Sequence, residues 1–245
     1  DSRDRHETGS KMAERPFLSR FWYEFLRVWV RLVWTFFYRT RYTGQRNIPA
    51  EGPVLVVANH QSFFDPPLIG AGCPRRMNYL ARKNLFDQPG LAWLIKSLDA
   101  IPIDREGGAL SGLKETLRRL KRNEMVLIFP EGARTWDGEV GPLQPGFATL
   151  AARSRAAILP VAIEGAFHAW PRWQKAPRLG TLHVHYGVPL MPDEVARLDE
   201  KSLVEEVERR IRMYHAQLAR NPAFARQPRP QCPPSLCPST DSPAA

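Results

Sequence analysis

Residues 54–66 read VLVVANHQSFFDP. The first five residues are all apolar, and the prolines Pro66 and Pro67 end the segment. A short, unbroken apolar run is typical of a strand that is buried on both faces of a sheet. Such a strand carries His60 to its carboxyl end, and a carboxylate, Asp65, follows five residues later. The sequence therefore predicts a buried strand with a histidine and a carboxylate at its tip.

Short apolar runs alternate with helical segments over most of the remaining chain. The predicted strands are residues 54–58, 77–81, 100–103, 125–129, 158–163 and 181–186. The predicted helices are residues 91–98, 109–122, 147–155 and 194–219. Alternation of this kind is typical of an α/β domain. We predict a central, largely parallel sheet flanked by helices.

Polar residues follow three of the predicted strands. His60 follows the first strand, Arg105 follows LDAIPI, and residues 130–134, PEGAR, follow MVLIF. Ligand sites in such sheets lie at the carboxyl ends of strands. Glycine lets a backbone approach a ligand closely, and arginine matches phosphate with two donors. We expect these residues to meet in one site, although a lone arginine more often forms surface ion pairs.

The His60 and Asp65 pair suits acid–base chemistry. A histidine near neutral pH accepts a proton in one step and returns it in another, and a carboxylate fixes its tautomer. The spacing of five suits a histidine on an entering turn and an aspartate in the first turn of a helix. In the alternative interpretation, Asn59 or Ser62 caps a helix and His60 is an ordinary surface residue.

Sequence patterns of other mechanisms are missing. No Gly-x-Ser-x-Gly, phosphate-binding P-loop or dinucleotide glycine pattern occurs in the chain. His183 and His185 share one face of a predicted strand, but a zinc site needs more ligands. Without an evident protein nucleophile, His60 would activate a hydroxyl that belongs to a substrate.

The charge of the chain indicates an anionic partner. The 245 residues carry a formal net charge of +10. Nucleic acid, a membrane surface, and phosphorylated or carrier-bound substrates are all compatible with that charge. The three cysteines, two of them near the carboxyl terminus, indicate no disulfide framework.

Residues 17–39 predict an amphipathic helix at a membrane interface. The segment reads FLSRFWYEFLRVWVRLVWTFFYR, and a narrow polar stripe runs along a wide aromatic surface. The stripe consists of Arg20, Glu24, Arg27 and Arg31. Aromatic rings suit headgroup depth and arginines suit anionic lipid, whereas the charges disfavour a full crossing. The alternative is a helix that packs on its own domain.

The chain divides into four predicted regions. Residues 1–14 are polar and predict a disordered leader, and residues 15–41 predict the membrane-associated helical segment. Residues 42–220 predict the folded domain. Residues 221–245 are rich in proline and predict a disordered tail.

Four blocks of this sequence together resemble the glycerolipid acyltransferases. NHQSFFD resembles their His-x4-Asp block and IPIDR their second block. FPEGART resembles the third block, and ILPVAIEG, which contains Pro160, resembles the fourth. The order and spacing also agree from Tyr42 to Gly187. Ala133 stands where the third block usually has threonine.

The resemblance implies an acyltransferase on the cytoplasmic face of the cell membrane, bound peripherally. It assigns His60 as general base and Asp65 as its orienting partner. It assigns the binding of the acceptor, chiefly of its phosphate, to Arg105, Glu131, Gly132 and Arg134. The expected acceptor is 1-acylglycerol-3-phosphate and the donor is an acyl thioester of coenzyme A or acyl carrier protein.

We expect no metal, no bound cofactor and no nucleic-acid partner, and we expect anionic lipid to bind the basic chain. Three alternatives remain open at this point. In the first, the chain acylates another lysolipid, such as a lyso-ornithine lipid or a different lysophospholipid. In the second, it is a membrane-binding module with a vestigial site. In the third, it is a lipid hydrolase in which His60 activates water.

Overall fold

A computed structural model of the protein describes residues 17–82, 100–103, 109–225 and 230–233. The strands are β1 Arg41–Thr43, β2 Val54–Ala58, β3 Met77–Arg82, β4 Ala100–Ile103, β5 Met125–Ile128, β6 Ala157–Glu164 and β7 His183–Tyr186. These described strands form one sheet in the order β1-β7-β6-β2-β5-β3-β4. Neighbouring strands are parallel except β6 and β7, which are antiparallel. The predicted largely parallel sheet is confirmed.

The six predicted strands all occur, with ends that differ by up to two residues. Strand β1 was not predicted, because its three residues are too few to show an apolar pattern. The helices of the described chain are α1 Phe17–Tyr38, α2 Asp65–Gly72, α3 Ala109–Leu120, α4 Gly146–Ser154, α5 Ala166–Ala169, α6 Pro192–Arg197, α7 Glu200–Ala219 and α8 Pro222–Ala225. The predicted helix at residues 91–98 lies outside the described residues.

The predicted helix 194–219 is wrong as a single element. It is two helices, α6 and α7, with Leu198 in an extended conformation between them. The side chain of Asp199 accepts a hydrogen bond from the backbone N–H of Ser202 at 2.7 Å. This contact satisfies a donor that the first turn of a helix otherwise leaves unpaired, so a new helix begins at Glu200.

Strand β2 lies at the centre of the sheet, and all five of its residues are buried. Alternate residues point to opposite faces and enter two different clusters of the core. Val54 and Val56 pack in the cluster that contains residues of α1 and α2. Leu55 and Val57 pack in the cluster that contains residues of α4 and α7. Helices on both faces therefore explain why the apolar run of β2 is unbroken.

Helix α1 has two different apolar faces. Trp34 and Tyr38 are buried, and their rings lie 4.5 and 5.2 Å from the ring of Phe64. Apolar side chains on the opposite side are about half exposed or more: Phe25, Val28, Trp29, Leu32 and Phe36. The spacing of these exposed residues follows the helical period, so they form one continuous surface. We call this set the exposed face of α1.

The alternative that α1 packs on its own domain is therefore correct for the side that carries Trp34 and Tyr38. Both residues belong to the main core, and Arg41 already begins β1. The folded domain thus includes residues before the predicted boundary at Tyr42. The side chains of Arg20, Glu24 and Arg27 lie outside the described part, and Arg31 is exposed.

The folded part also extends beyond the predicted boundary at residue 220. Pro222–Ala225 form the short helix α8, and Phe224 is buried. The predicted leader, residues 1–14, and most of the predicted tail lie outside the described residues. Among the described helices, none combines the length and the apolarity that crossing a membrane requires.

Candidate active site

The chain turns sharply between β2 and α2, and this turn forms the His60–Asp65 pair. Asp65 is the first residue of α2, as the five-residue spacing predicts. Its carboxylate is fully buried, and His60 Nδ1 lies 2.7 Å from Asp65 Oδ2. The same oxygen accepts the backbone N–H groups of Gln61 and Ser62 at 2.6 and 2.7 Å. Three donors therefore hold one carboxylate oxygen.

The pair fixes the tautomer of His60. An ionised carboxylate accepts hydrogen bonds and donates none, so His60 Nδ1 carries the proton. The lone pair is then on Nε2, which is the nitrogen that can act as a base. The ring of Phe129 stacks on the imidazole with a centroid distance of 4.0 Å and an angle of 16°. The His60 side chain is 20% exposed, so a substrate can reach it.

Glu131 lies behind the His60 turn. Its Oε1 accepts the backbone N–H of His60 at 2.9 Å, and its Oε2 accepts that of Gly141 at 3.2 Å. Burial raises the pKa of Glu131 to about 7, although the two backbone donors lower it and Asp65 raises it further. The carboxylate of Glu131 therefore supports the backbone of His60, a contact that the sequence did not predict.

Gly132 and Arg134 continue the turn that follows β5. Gly132 has a φ of +73°, which favours glycine, and its N–H donates to the carbonyl of Phe129 at 3.1 Å. The guanidinium carbon of Arg134 lies 3.5 Å from the ring centroid of Phe63. Because Phe63 belongs to the turn that carries His60, the structure brings Arg134 to that turn. Ala133 is exposed at the same turn.

Arg105 lies outside the described residues. Strand β4, which precedes it, ends at Ile103 and pairs with β3 at one edge of the sheet. The role of Arg105 in acceptor binding therefore stays a prediction.

Several residues that fix the site were not predicted from the sequence. Thr135 donates its backbone N–H to the carbonyl of His60 at 2.8 Å. The amide of Asn59 exchanges two hydrogen bonds with the backbone of Ile163, at 3.0 and 2.8 Å. Arg172 donates to the carbonyl of Arg134 at 2.9 Å. The polar residue Asn59 directly after a buried strand could have indicated a structural hydrogen bond, but its partner, Ile163, is remote in sequence.

His183 and His185 lie on β7. Thr43 Oγ1 lies 3.1 Å from His183 Nε2 and 2.9 Å from His185 Nδ1. Burial lowers the pKa of His183 to about 4, and His185 and Arg41 lower it further. The described residues contain no group of three or more histidine, cysteine, aspartate or glutamate side chains that could hold a metal.

Comparison with known proteins identifies the family. A sequence model of the family described as Acyltransferase matches residues 39–164, which are just over half of the chain. This chain belongs to the acyltransferase family. The match contains the His60–Asp65 pair and residues 131–134, and it confirms the resemblance that the four sequence blocks indicate.

Individual relatives support the same family. The 1-acyl-sn-glycerol-3-phosphate acyltransferase of Bacillus subtilis is 30% identical over 174 residues, covering 69% of this chain and 84% of the relative. The enzyme of the same name from Pseudomonas aeruginosa is 31% identical over 205 residues, with 76% of each covered.

A solved structure supports the fold of this acyltransferase. The crystal structure of the 1-acyl-sn-glycerophosphate acyltransferase PlsC from Thermotoga maritima is similar, with a TM-score of 0.75 and 26% identity. The similarity covers 86% of this chain and 85% of that one.

Proposed function

We propose that this acyltransferase transfers a fatty acyl group from an acyl thioester to the free hydroxyl of 1-acylglycerol-3-phosphate, which forms phosphatidate. The observation that carries the proposal is the buried Asp65 carboxylate, which directs the basic Nε2 of His60 away from itself. The names of the similar proteins from B. subtilis and P. aeruginosa support the choice of acceptor.

In the proposed reaction His60 acts as the general base. Its Nε2 accepts the hydroxyl proton of the acceptor while the oxygen attacks the thioester carbonyl carbon. The new C–O bond forms, the C–S bond breaks, and the electron pair leaves with the sulfur. The proton on His60 then passes to the thiolate. A thiol has a pKa of about 8.5, so the thiolate is a good leaving group. The donor, on coenzyme A or acyl carrier protein, is a cosubstrate.

Asp65 would stabilise the imidazolium that forms in this step. Its carboxylate is buried, and a charged hydrogen bond is stronger where water is excluded. Glu131 and Thr135 hold the backbone of His60 from two sides, so the base has a fixed position. Arg134 and Arg105 would bind the acceptor phosphate, and Gly132 would allow its close approach.

Acceptor preference tests this proposal. The purified protein is incubated with a radiolabelled acyl thioester and, separately, with lysophosphatidate, lysophosphatidylcholine, a lyso-ornithine lipid and uncharged monoacylglycerol. We expect the highest kcat/KM with lysophosphatidate. A higher value with another acceptor would replace the proposed acceptor. Release of labelled fatty acid without a diacyl product would indicate a hydrolase, and no reaction would indicate a vestigial site.

Substitution of Arg134 tests the phosphate contact. Arg134→Ala should raise the KM for lysophosphatidate by roughly tenfold or more, because a hydrogen bond to a charged group contributes about 1.5–3 kcal/mol. The KM for the thioester should change much less. Initial rates over a range of both substrates measure the two constants.

Arg75→Ala is a matched control for this variant. Arg75 is also half-buried, and its guanidinium donates to the carbonyls of Pro49 and Gly52 near the amino ends of the strands. It should leave both KM values unchanged. An equal effect of Arg134→Ala on lysophosphatidate and on uncharged monoacylglycerol would exclude the phosphate role.

We also propose that the exposed face of α1 binds the cytoplasmic surface of the cell membrane peripherally. The acceptor is a lipid, and this face presents a continuous apolar surface that the domain does not cover. Arg31 is exposed on the same helix, and its attraction to anionic lipid would add to the apolar contact.

A triple substitution at Trp29, Leu32 and Phe36, each to serine, tests the membrane contact. Binding to anionic vesicles should fall by about tenfold or more, because burial of one large apolar side chain contributes roughly 1.5–3 kcal/mol. Co-sedimentation measures the binding, and circular dichroism confirms the fold. Removal of residues 1–40 is a poorer test, since it also removes Trp34 and Tyr38 from the core. Val188→Ser, at an exposed apolar residue outside α1, is the control. Unchanged binding of the folded triple variant would place the anchor elsewhere.

A further inference from the structure

Residues 170–174, WPRWQ, form a compact loop after helix α5. Trp170 Nε1 donates to the carbonyl of Gln174 at 2.9 Å, and the backbone N–H of Gln174 donates to the carbonyl of Pro171 at 3.1 Å. These two hydrogen bonds close the loop on itself, so its side chains have a defined arrangement. The proposed reaction gives none of these residues a direct role. We call residues 170–174 the WPRWQ loop.

The first residue of the WPRWQ loop contacts the turn that carries His60. Ser62 Oγ donates to the carbonyl of Trp170 at 2.9 Å, and the rings of Trp170 and Phe63 lie 5.3 Å apart. The other contact of the Phe63 ring is the guanidinium of Arg134. Trp170 therefore supports the ring against which Arg134 packs.

Arg172 contacts the turn that follows β5 at two places. Its Nη1 donates to the carbonyl of Arg134 at 2.9 Å. Its guanidinium carbon lies 3.8 Å from the ring centroid of Trp136, which is two residues further along the same turn. The rings of Trp136 and Trp173 are nearly parallel, with a centroid distance of 6.2 Å and an angle of 7°. The WPRWQ loop thus contacts both the backbone and a side chain of this turn.

The peptide group between Arg134 and Thr135 is bound on both sides. Its carbonyl accepts the hydrogen bond from Arg172, and its N–H donates to the carbonyl of His60 at 2.8 Å. A peptide group is planar, so its C=O and its N–H change direction together. Arg172 and His60 therefore hold one rigid unit. The bond from Arg172 is the stronger type, because its donor is charged.

We propose that Arg172 is a positioning residue for Arg134, which raises the affinity of the site for the phosphate of the acceptor. Through Arg172 the WPRWQ loop fixes the backbone of Arg134. Through Trp170 and Phe63 it supports the face of the guanidinium. Arg172 acts through Arg134 and does not itself bind the phosphate. This inference rests on the proposed function.

The physical basis of the effect is the entropy of the Arg134 side chain. A side chain that is fixed before the ligand arrives loses less conformational freedom on binding. The donors of a guanidinium lie at its edge, so the contact of Phe63 with its face is compatible with bidentate phosphate binding. Without Arg172, the Arg134 side chain starts from a less restricted set of positions, and the affinity for an anionic acceptor falls.

The kinetics of Arg172→Ala test this role. The KM for lysophosphatidate should rise roughly 3–10-fold, which is the effect of ordering one or two side chains. Because Glu131 and Asp65 still hold His60, kcat should change less than about threefold. The KM for uncharged monoacylglycerol should not change. Arg172→Lys keeps a cationic donor, so its KM for lysophosphatidate should rise less than that of Arg172→Ala.

Arg178→Ala is the matched control for charge. Arg178 is exposed a few residues further along the chain, and its backbone N–H, which donates to the carbonyl of Ala169, is retained in this variant. Arg178→Ala removes the same charge as Arg172→Ala and should leave the KM for lysophosphatidate unchanged. An equal rise in KM in the two variants would assign the effect to net charge and would overturn the proposal.

A double variant separates positioning from direct contact. If Arg172 acts through Arg134, the variant with both arginines changed to alanine should have the same KM for lysophosphatidate as Arg134→Ala alone. Effects that multiply in the double variant would show that Arg172 binds the phosphate itself, and they would overturn the proposal.

Trp136→Leu tests the same path without a change of charge. It removes the ring that packs on the guanidinium of Arg172. The KM for lysophosphatidate should rise about 2–5-fold, in keeping with the loss of one cation–π contact. This variant replaces Arg172→Ala if Arg172→Ala does not fold, and an unchanged KM in folded Trp136→Leu would then overturn the proposal.

Hydrogen exchange of the Thr135 amide tests the positioning without any substrate. In Arg172→Ala this amide should exchange roughly 2–10-fold faster, which corresponds to the contribution of one hydrogen bond. The amide of Ile163, which donates to Asn59, is the control and should not change.

The exchange measurement keeps this proposal distinct from the proposed function. If the wild-type protein forms no phosphatidate, the assigned activity is wrong, and the exchange of Thr135 still tests the contact between Arg172 and Arg134. Unchanged exchange of Thr135 in folded Arg172→Ala would overturn the proposal. Faster exchange with an unaltered KM for lysophosphatidate in an active protein would also overturn it.

Discussion

His60→Ala should lower the rate of acyl transfer by about 10²–10⁴-fold, which is the usual contribution of a general base. The KM for lysophosphatidate should change little, because the proposed phosphate contact of Arg134 does not involve the imidazole. The turn itself is held by backbone bonds of His60 to Glu131 and Thr135, which alanine retains. Initial rates at saturating substrate measure the effect.

A folded protein is the condition for interpreting this variant. Circular dichroism and the melting temperature of His60→Ala should match those of the wild type. Retention of more than about a tenth of the wild-type turnover would contradict the assignment of His60 as the base.

Asp65→Asn should lower kcat by about 10²–10⁴-fold, and the same change in a serine-protease triad has an effect of about 10⁴-fold. The asparagine oxygen can still accept the donors that bind Oδ2, but the charge that stabilises the imidazolium is lost. The other carboxylate oxygen, Oδ1, is buried and has no hydrogen-bond partner among the described residues. An amide nitrogen there would be an unsatisfied donor, so some loss of stability should accompany the loss of activity.

Thermal melting, together with activity assays well below the melting temperature, separates these two effects of Asp65→Asn. A loss of activity that disappears when the variant is assayed well below its melting temperature would assign Asp65 to stability only. Asp65→Glu is the control for charge, since it keeps the carboxylate and moves it. The Asp65→Glu variant should stabilise the imidazolium better than Asp65→Asn does, but its rate should stay below that of the wild type.

The elements that depend on local sequence could be predicted well. The unbroken run in β2 and the five-residue spacing from His60 to Asp65 are local, and both are found in the structure. The break between α6 and α7 was missed because helical periodicity continues through it, and only the cap at Asp199 marks the new start. A pattern of apolar residues does not show where a side-chain cap interrupts a helix.

Contacts between residues remote in sequence could not be predicted. The assignment of Glu131 to acceptor binding stays a prediction, but the sequence did not show that its carboxylate accepts the backbone N–H of His60, 71 residues away. Asn59 and Ile163, which exchange two hydrogen bonds, are separated by 104 residues. The aromatic surface of α1 gave no indication that Trp34 would enter the core while Trp29 on the same helix stayed exposed. These outcomes depend on the tertiary arrangement of the sheet and its helices.

The central claim is that His60 catalyses acyl transfer from a thioester to lysophosphatidate. The ratio of phosphatidate formed to thiol released tests this claim most directly. Purified protein is incubated with an acyl thioester and lysophosphatidate, thiol release is followed with a chromogenic reagent, and phosphatidate is measured by mass spectrometry. We predict one phosphatidate for each thiol with the wild-type protein, and a large loss of both products with His60→Ala. Thiol release matched by free fatty acid would contradict the account, as would phosphatidate formation that does not require His60.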